Sequence, residues 1–346
     1  MRPEPRLLVA CLLVPFVAAC PGAPVEGGEG SSSGGAESST TEDAPTGGMT
    51  GIMTTDNTTG TTAPETTDAS SSSTEPDPTT ETSESTGDAP GVVVEGLMQP
   101  ESIVVDVVDG VYLISNINGV DPGADDGNGF ISRVGPDGTM LDLMWIAGGG
   151  DVNLSAPKGM AIHEDTLYVA DIDRVHRFDR VSGAHLGAVA IDGAMFLNDV
   201  VADPFGIVYV SDTATNKIHR IDGDTAVEFL ASSDINGTNG LLYKNMTLYA
   251  VGYNAGEMFE IPVEAGVASP IHTFAAGGLD GIAEVADGFL VSSWDAQAVY
   301  KLSADFSASE PLVEGVQSPA DIAVDPATNQ LLIPQLELGR ALFVAL

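Results

Sequence analysis

From Glu101 to the C-terminus the chain repeats one phrase six times: a small or polar residue, two or three apolar ones, a short turn, then a strand-like run ending in polar residues. The apolar anchor of each phrase recurs at Ile103, Met160, Val200, Leu241, Ile282 and Ile322, in steps of 57, 40, 41, 41 and 40 residues. A period near 40 built of short strands restricts the architecture to a stacked or radial β array. One such unit cannot bury its own apolar face and must lean on its neighbours.

Each unit reads as four strands. Short apolar first strands begin at the anchors (Ile103 to Val105, for example), a turn rich in Asp, Gly, Asn or Pro follows, and closely similar second strands come next: Val111-Tyr112-Leu113-Ile114, Leu167-Tyr168-Val169, Val208-Tyr209-Val210, Leu248-Tyr249-Ala250, Phe289-Leu290-Val291 and Leu331-Leu332-Ile333. Third strands alternate apolar and polar residues, as in Ile131 to Val134 and Ile218 to Ile221. Fourth strands follow in five units, but the sixth stops at Leu346 without one. Val92-Val93-Val94-Glu95-Gly96 reads like Leu312-Val313-Glu314-Gly315, so the N-terminal strand is expected to complete the last unit and close the ring. Closure leaves no long exposed edge. The prediction is an all-β, six-bladed β-propeller over residues 91–346, expected as a monomer. A non-closed solenoid or a two-sheet sandwich does not explain a four-strand period with a displaced first strand.

The N-terminal part has a different composition. Arg2 and Arg6 precede the apolar run Leu7 to Phe16, which is too short to cross a bilayer and has the layout of a secretory signal. Its end, Val17-Ala18-Ala19-Cys20, resembles the bacterial lipobox, which makes residues 1–20 a lipoprotein signal peptide and Cys20 the lipidation site; the alternative is cleavage by an ordinary signal peptidase after Ala19. Residues 21–90 are Ser, Thr, Gly, Glu and Pro with almost no large apolar side chain, so they are expected to be a disordered linker. Between Gly22 and Pro90 lie 13 acidic residues and no Lys or Arg, and self-repulsion should extend this tether beyond the roughly 45 Å of a flexible coil. The protein is therefore expected to be exported and lipid-anchored, at the outer membrane or cell surface, and to meet the membrane through its lipid alone.

From Gly91 onward there are 36 acidic and 10 basic residues. Such a surface repels phosphate backbones, which excludes nucleic acid as a partner, and it favours divalent cations. Cys11 and Cys20 are the only cysteines, so the mature domain has no disulfide and no catalytic thiol. No Gly-x-Ser-x-Gly elbow, His-Glu-x-x-His helix or phosphate-binding glycine loop occurs. The five histidines do not cluster; His176 and His219 hold equivalent third-strand positions, a feature of the repeat rather than a ligand pair. Trp145 and Trp294 read most simply as packing residues, although Trp294 follows a second strand at the expected site end.

First strands of a propeller line its central channel, and the residue two before each anchor falls at the channel mouth. Those residues are Glu101, Lys158, Asn198, Asn239, Asp280 and Ala320. Two carboxylates and two amides converging on one axis are an all-oxygen set of the kind a hard cation such as Ca²⁺ takes. The alternative is that they end strands and hydrogen-bond in a wet channel, as in a non-catalytic NHL-type propeller that binds a ligand or a protein.

These residues carry a resemblance. Pro100-Glu101-Ser102, Asn198-Asp199, Thr238-Asn239-Gly240-Leu241 and Asp280-Gly281 resemble the metal-binding motifs, in the same blade order, of the calcium-dependent lactonase and phosphotriesterase superfamily that includes gluconolactonase and regucalcin (the SMP-30 family), paraoxonase and diisopropyl fluorophosphatase. The resemblance implies Ca²⁺ or another divalent cation held by Glu101, Asn198, Asn239 and Asp280. It also implies that Asp280 serves as general base or nucleophile and that the substrate is a lactone or other ester. The gluconolactonase branch has Arg two residues before its third-blade Asn, where this chain has Phe196, so sugar-acid lactones are not expected. Lys158 could counter a carboxylate or polarise a carbonyl, or it could replace a metal by pairing with Glu101 or Asp280. Asp199, Asp171 and Asp212 are expected behind the site. The blade-one insertion Asn116 to Gly129 should overhang the channel mouth, as a lid, a second calcium loop or a solvated loop.

Overall fold

A computed structural model describes residues 91–119, 121–150 and 152–346. The expected signal peptide, Cys20 and the expected linker lie outside the described residues. Among those described are six antiparallel four-stranded sheets and one short 3₁₀ turn, Leu336–Leu338, forming a six-bladed β-propeller. Strands run in sequence order from channel to rim in five blades. In the sixth the order from the rim is Gly91–Val94, Arg340–Ala345, Gln330–Gln335, Ala323–Asp325. The displaced N-terminal strand pairs antiparallel with the last strand, from Gly91 opposite Val344 to Val94 opposite Ala341, and closes the ring as the sequence predicts.

Each of the six apolar clusters straddles two adjacent blades. Val169 and Phe178 of blade two pack with Leu113 and Ile131 of blade one, and Phe343 of blade six packs with Tyr112 and Ile114 of blade one. The clusters between blades two and three, three and four, four and five, and five and six follow the same rule. A blade's apolar face is thus removed from water only by its neighbour, which is the physical reason for the repeat.

Polar side chains reinforce closure near the axis. Ser102 donates to Asp321 Oδ2 at 2.6 Å and the Asp321 amide donates to the Glu101 carbonyl at 2.9 Å, joining blades six and one. Arg180 of blade two reaches Asp106 of blade one at 2.6 Å with both groups buried. Glycine permits this crowding where inner strands touch: a Cβ at Gly240 or Gly281 would run into the backbone of Asp280 or Ile322 in the next blade. Inner strands also begin earlier than their apolar anchors indicate, at Pro100, Leu197, Thr238 and Leu279 in blades one, three, four and five, which brings the polar residues into the sheet.

Candidate functional site

In those four blades the pairing of inner and second strand slips between Pro100 and Ile103, Leu197 and Val200, Thr238 and Leu241, and Leu279 and Ile282. Each slip is a bulge, and a bulge re-aims the side chains it carries. The residues so placed are Glu101, Asn198, Asn239 and Asp280, together with the residue after each. Serine hydroxyls bridge three of the bulges: Ser115 accepts from the Ser102 amide, Ser211 from that of Asp199 and Ser292 from that of Gly281, at 2.8–2.9 Å.

Glu101, Lys158, Asn198, Asn239 and Asp280 all face one cavity of about 610 Å³ at one end of the channel. The four oxygen-bearing residues are only 3–6 % exposed. Glu101 Oε2, Asn198 Oδ1, Asn239 Oδ1 and Asp280 Oδ1 are buried and find no hydrogen-bond donor. Buried acceptors in native proteins are nearly always paired, so four donor-less oxygens facing one cavity are an acceptor set of the kind a cation could bind. Their orientation is held from behind. Thr213 Oγ1 donates to the Thr238 carbonyl at 2.7 Å and can therefore only accept from Asn198 Nδ2, at 3.2 Å, which turns Asn198 Oδ1 to the axis. Trp294 Nε1 donates to Asp280 Oδ2 at 2.7 Å and leaves Oδ1 for the cavity. Trp294 is thus not a mere packing residue: its indole orients the acid.

The electrostatics agree with the hydrogen bonding. Burial, then the charges of Asp280 and Asp321, raise Glu101 well above the usual carboxylate range. Burial and Asp321 push Asp280 up to about 8, against the pull of the Trp294 hydrogen bond. Two carboxyls that resist ionising together, beside two amide oxygens, fit a divalent cation. No group of three His, Cys, Asp or Glu among the described residues is placed to hold a metal ion. A cation here would therefore take two carboxylates and two amide carbonyls, an oxygen set that suits Ca²⁺ and disfavours soft metals.

Lys158 does not fill the site. Its ammonium donates to the Ala156 carbonyl at 3.0 Å and lies 4.4 Å from the centre of the Phe196 ring, and it makes no ion pair within 4.0 Å among the described residues. Burial lowers its pKa while Glu101 and Asp171 oppose that shift. The reading in which it replaces a metal by pairing with Glu101 or Asp280 is not the arrangement seen.

The other anticipated acids sit behind the cavity. Asp212 accepts from the Met195 and Phe196 amides, both at 3.1 Å, and fixes the segment that delivers Phe196 and Asn198; Asp171 does the same for Ser155 and Ala156 ahead of Lys158, at 2.8 Å. His176 and His219 stand 3.5 and 3.8 Å from these two acids, the repeat feature the sequence predicts. Asp199 lies deeper. It accepts from the Val200 and Leu241 amides at 2.6 Å, and with Asp321 it lines a second, smaller cavity of about 300 Å³. The blade-one insertion does reach the site, with Ile117, Gly119 and Pro122 lining the cavity.

Beyond the blade-one insertion and the position of Trp294, the sequence does not single out the walls. Ile117, Thr213, Tyr253, Trp294 and Leu336 line the cavity, and each is the first residue after its blade's second strand. Register within the repeat would have found them, although their chemistry differs from blade to blade. Gln99 and Glu337 complete the mouth.

No family model matches the sequence, and no curated protein matches it. Solved structures do resemble it. A streptogramin B lyase superposes with a TM-score of 0.54 at 11% identity, over 73% of this chain and 96% of that one. Virginiamycin B lyase from Staphylococcus aureus gives 0.54 at 14%, over 74% and 99%, and a chain of a nidogen–laminin complex gives 0.51 at 14%, over 64% and 92%. These relatives are six-bladed propellers, and at such identity what the chain shares with them is the fold.

Proposed function

We propose that the propeller is a divalent-cation-dependent hydrolase of a lactone or other ester, of the calcium-dependent lactonase and phosphotriesterase type. The observation that carries this reading is the set of four buried, donor-less oxygens on Glu101, Asn198, Asn239 and Asp280, drawn from four blades onto one axis. When bound, Ca²⁺ would supply Lewis-acid polarisation of an acyl or phosphoryl oxygen. The protein's own residues do the rest. Asp280 would be both a ligand of the cation and the general base: Trp294 holds Oδ2 and so fixes the carboxylate, and Oδ1, which faces the cavity, keeps a second lone pair that can take the proton of an attacking water. Water oxygen bonds to the acyl carbon, the acyl–oxygen bond breaks, and the alkoxide leaves with the proton. Thr213 holds Asn198 in place, and Asp212 holds the backbone that presents Phe196. Ile117, Pro122, Phe196, Tyr253 and Leu336 keep bulk water from the floor. With Phe196 in the cavity wall in place of a charged side chain, the site favours substrates other than sugar acids.

Melting the purified domain with and without a chelator, alongside elemental analysis, tests the reading. Bound calcium and a lower melting temperature after chelation are expected. Neither effect would favour a non-catalytic NHL-type binding propeller instead. A panel of lactones and organophosphate esters then tests turnover. The same reading makes the protein a monomeric, exported lipoprotein anchored through Cys20, and Cys20→Ser should release it from the membrane fraction.

A further inference from the structure

The chain has four lysines, and three of them are used alike. Lys217, Lys244 and Lys301 are each 33% exposed and pair with Glu228, Glu284 and Asp287 at 2.7–2.8 Å. Lys158 is 1% exposed and has no carboxylate within 4.0 Å among the described residues. Its ammonium carries three donors, yet one carbonyl, Ala156 at 3.0 Å, and one aromatic face, Phe196, are all that it meets. Desolvating a charge without a partner is unfavourable, and a desolvated charged group lining a cleft marks a candidate functional residue. Nothing in the repeat demands a lysine here. The equivalent position in blade six is Ala320, fully buried, so the ring closes equally well with a methyl group.

Charge sharpens the point. Glu101 and Asp280 would be neutralised by a doubly charged ion, which leaves Lys158 opposed among the lining residues only by Glu337 at the mouth. Lys158 is also the one Lys or Arg among the residues that line the cavity. The other carboxylate near it, Asp171, is committed to the amides of Ser155, Ala156 and Ile172 at 2.8–2.9 Å. Around the floor stand Phe196, Tyr253 and Trp294, surfaces suited to an apolar or aromatic group.

We propose that Lys158 is a ligand-binding residue whose ammonium receives an anionic oxygen: the acyl or phosphoryl oxygen as it gains charge, and the carboxylate of the product. The site would thus take ligands that place an oxyanion next to an apolar group. Its kinetic consequence rests on the hydrolase reading above, whereas its binding consequence does not.

Phenylphosphonate, a tetrahedral oxyanion carrying a phenyl ring, is the probe, and quenching of Trp294 fluorescence in the full-length protein carrying Trp145→Phe reports its binding. Lys158→Met should weaken phenylphosphonate at least tenfold while leaving neutral acetophenone within threefold, and Lys158→Arg should recover part of the loss. Because a buried charge is removed, Lys158→Met should melt no lower than the parent. In the unmodified protein labelled with ¹³Cε-lysine, the Lys158 resonance should move on adding phenylphosphonate while the other three stay still, a measurement that needs no variant. Equal phenylphosphonate affinity in parent and Lys158→Met, or an unmoved Lys158 resonance, overturns the proposal. Calcium titrations separate the two readings. A protein indifferent to calcium that still loses phenylphosphonate in Lys158→Met refutes the metal and keeps the lysine; one that binds calcium and ignores the substitution does the reverse.

Discussion

Two rings of buried oxygen, one residue apart along the inner strands, meet opposite fates. Asp199 and Asp321 form part of the deeper ring, and their oxygens are used: Asp199 takes the Val200 and Leu241 amides, Asp321 takes the Ser102 hydroxyl. Glu101, Asn198, Asn239 and Asp280 form the outer ring, equally buried, and one oxygen of each has no donor. Burial alone therefore does not mark a functional acid. The deeper carboxylates stitch neighbouring blades together, since Leu241 and Ser102 each belong to the next blade round the ring. The outer ones leave acceptor capacity turned to the cavity. Satisfied buried polar groups contribute to the fold, whereas unsatisfied ones cost free energy that a ligand returns.

The strongest way to break this comparison is Asp280→Asn. It should cut ester turnover by about 10²–10⁴-fold, the usual scale for losing a positioned base, while the melting temperature holds or rises because a repelled carboxyl is gone. A silent effect on rates would move Asp280 into the structural class. Asp199→Ala should act in the opposite sense, leaving two buried amides unpaired and costing about 2–4 kcal/mol in denaturant unfolding, with turnover of the folded fraction kept. If instead Asp199→Ala abolished calcium binding and spared stability, the assignment of roles to the two rings would be reversed.

Calcium and pH sharpen the comparison further. Burial pushes Asp280 up to about 8 and Asp321 up to about 7. Between the ordinary carboxylate range near 4 and these values, the folded, metal-free protein holds protons that the unfolded chain has released. Stability of the metal-free domain should therefore fall as pH rises through that window, by at most about 1.4 kcal/mol per pH unit for each carboxyl. Calcium replaces those protons, so its affinity should rise over the same window, and at 100 times its Kd it should restore about 2.7 kcal/mol. Chelator-controlled urea unfolding at several pH values measures both. Flat metal-free stability from pH 5 to 8 would contradict the crowding of acids on the axis.

The smallest effect expected is that of Trp294→Phe. It keeps the apolar wall but removes the hydrogen bond that lowers the Asp280 pKa, so the acidic limb of the rate profile should shift to higher pH, with about 1 kcal/mol lost from transition-state stabilisation. An unchanged profile would mean that the indole only packs.

Much of this could be read before any coordinates. The repeat of Ile103, Met160, Val200, Leu241, Ile282 and Ile322 implied six blades, and counting back two residues reached the five polar side chains that the cavity brings together. Thr213, Tyr253 and Leu336 share a register and no chemistry, so the sequence does not mark them as walls. The bulges fall ahead of the apolar anchors, at polar and small residues where no alternating pattern exists to show a shift of register. The position of Trp294 after a second strand is legible, but the partner of its indole N–H is not.

Periodicity is a one-dimensional property, and it was enough to dictate a closed ring, since a unit with an unburied face must find a neighbour and the displaced first strand has a single vacant edge to fill. Whether an oxygen is paired is settled in three dimensions. Asn198 and Asp199 are consecutive, yet one turns to the axis behind Thr213 and the other to the Leu241 amide of the next blade. Folding alone could divide them so, because their partners lie 15 and 42 residues away along the chain and within hydrogen-bonding distance only once the blades have closed.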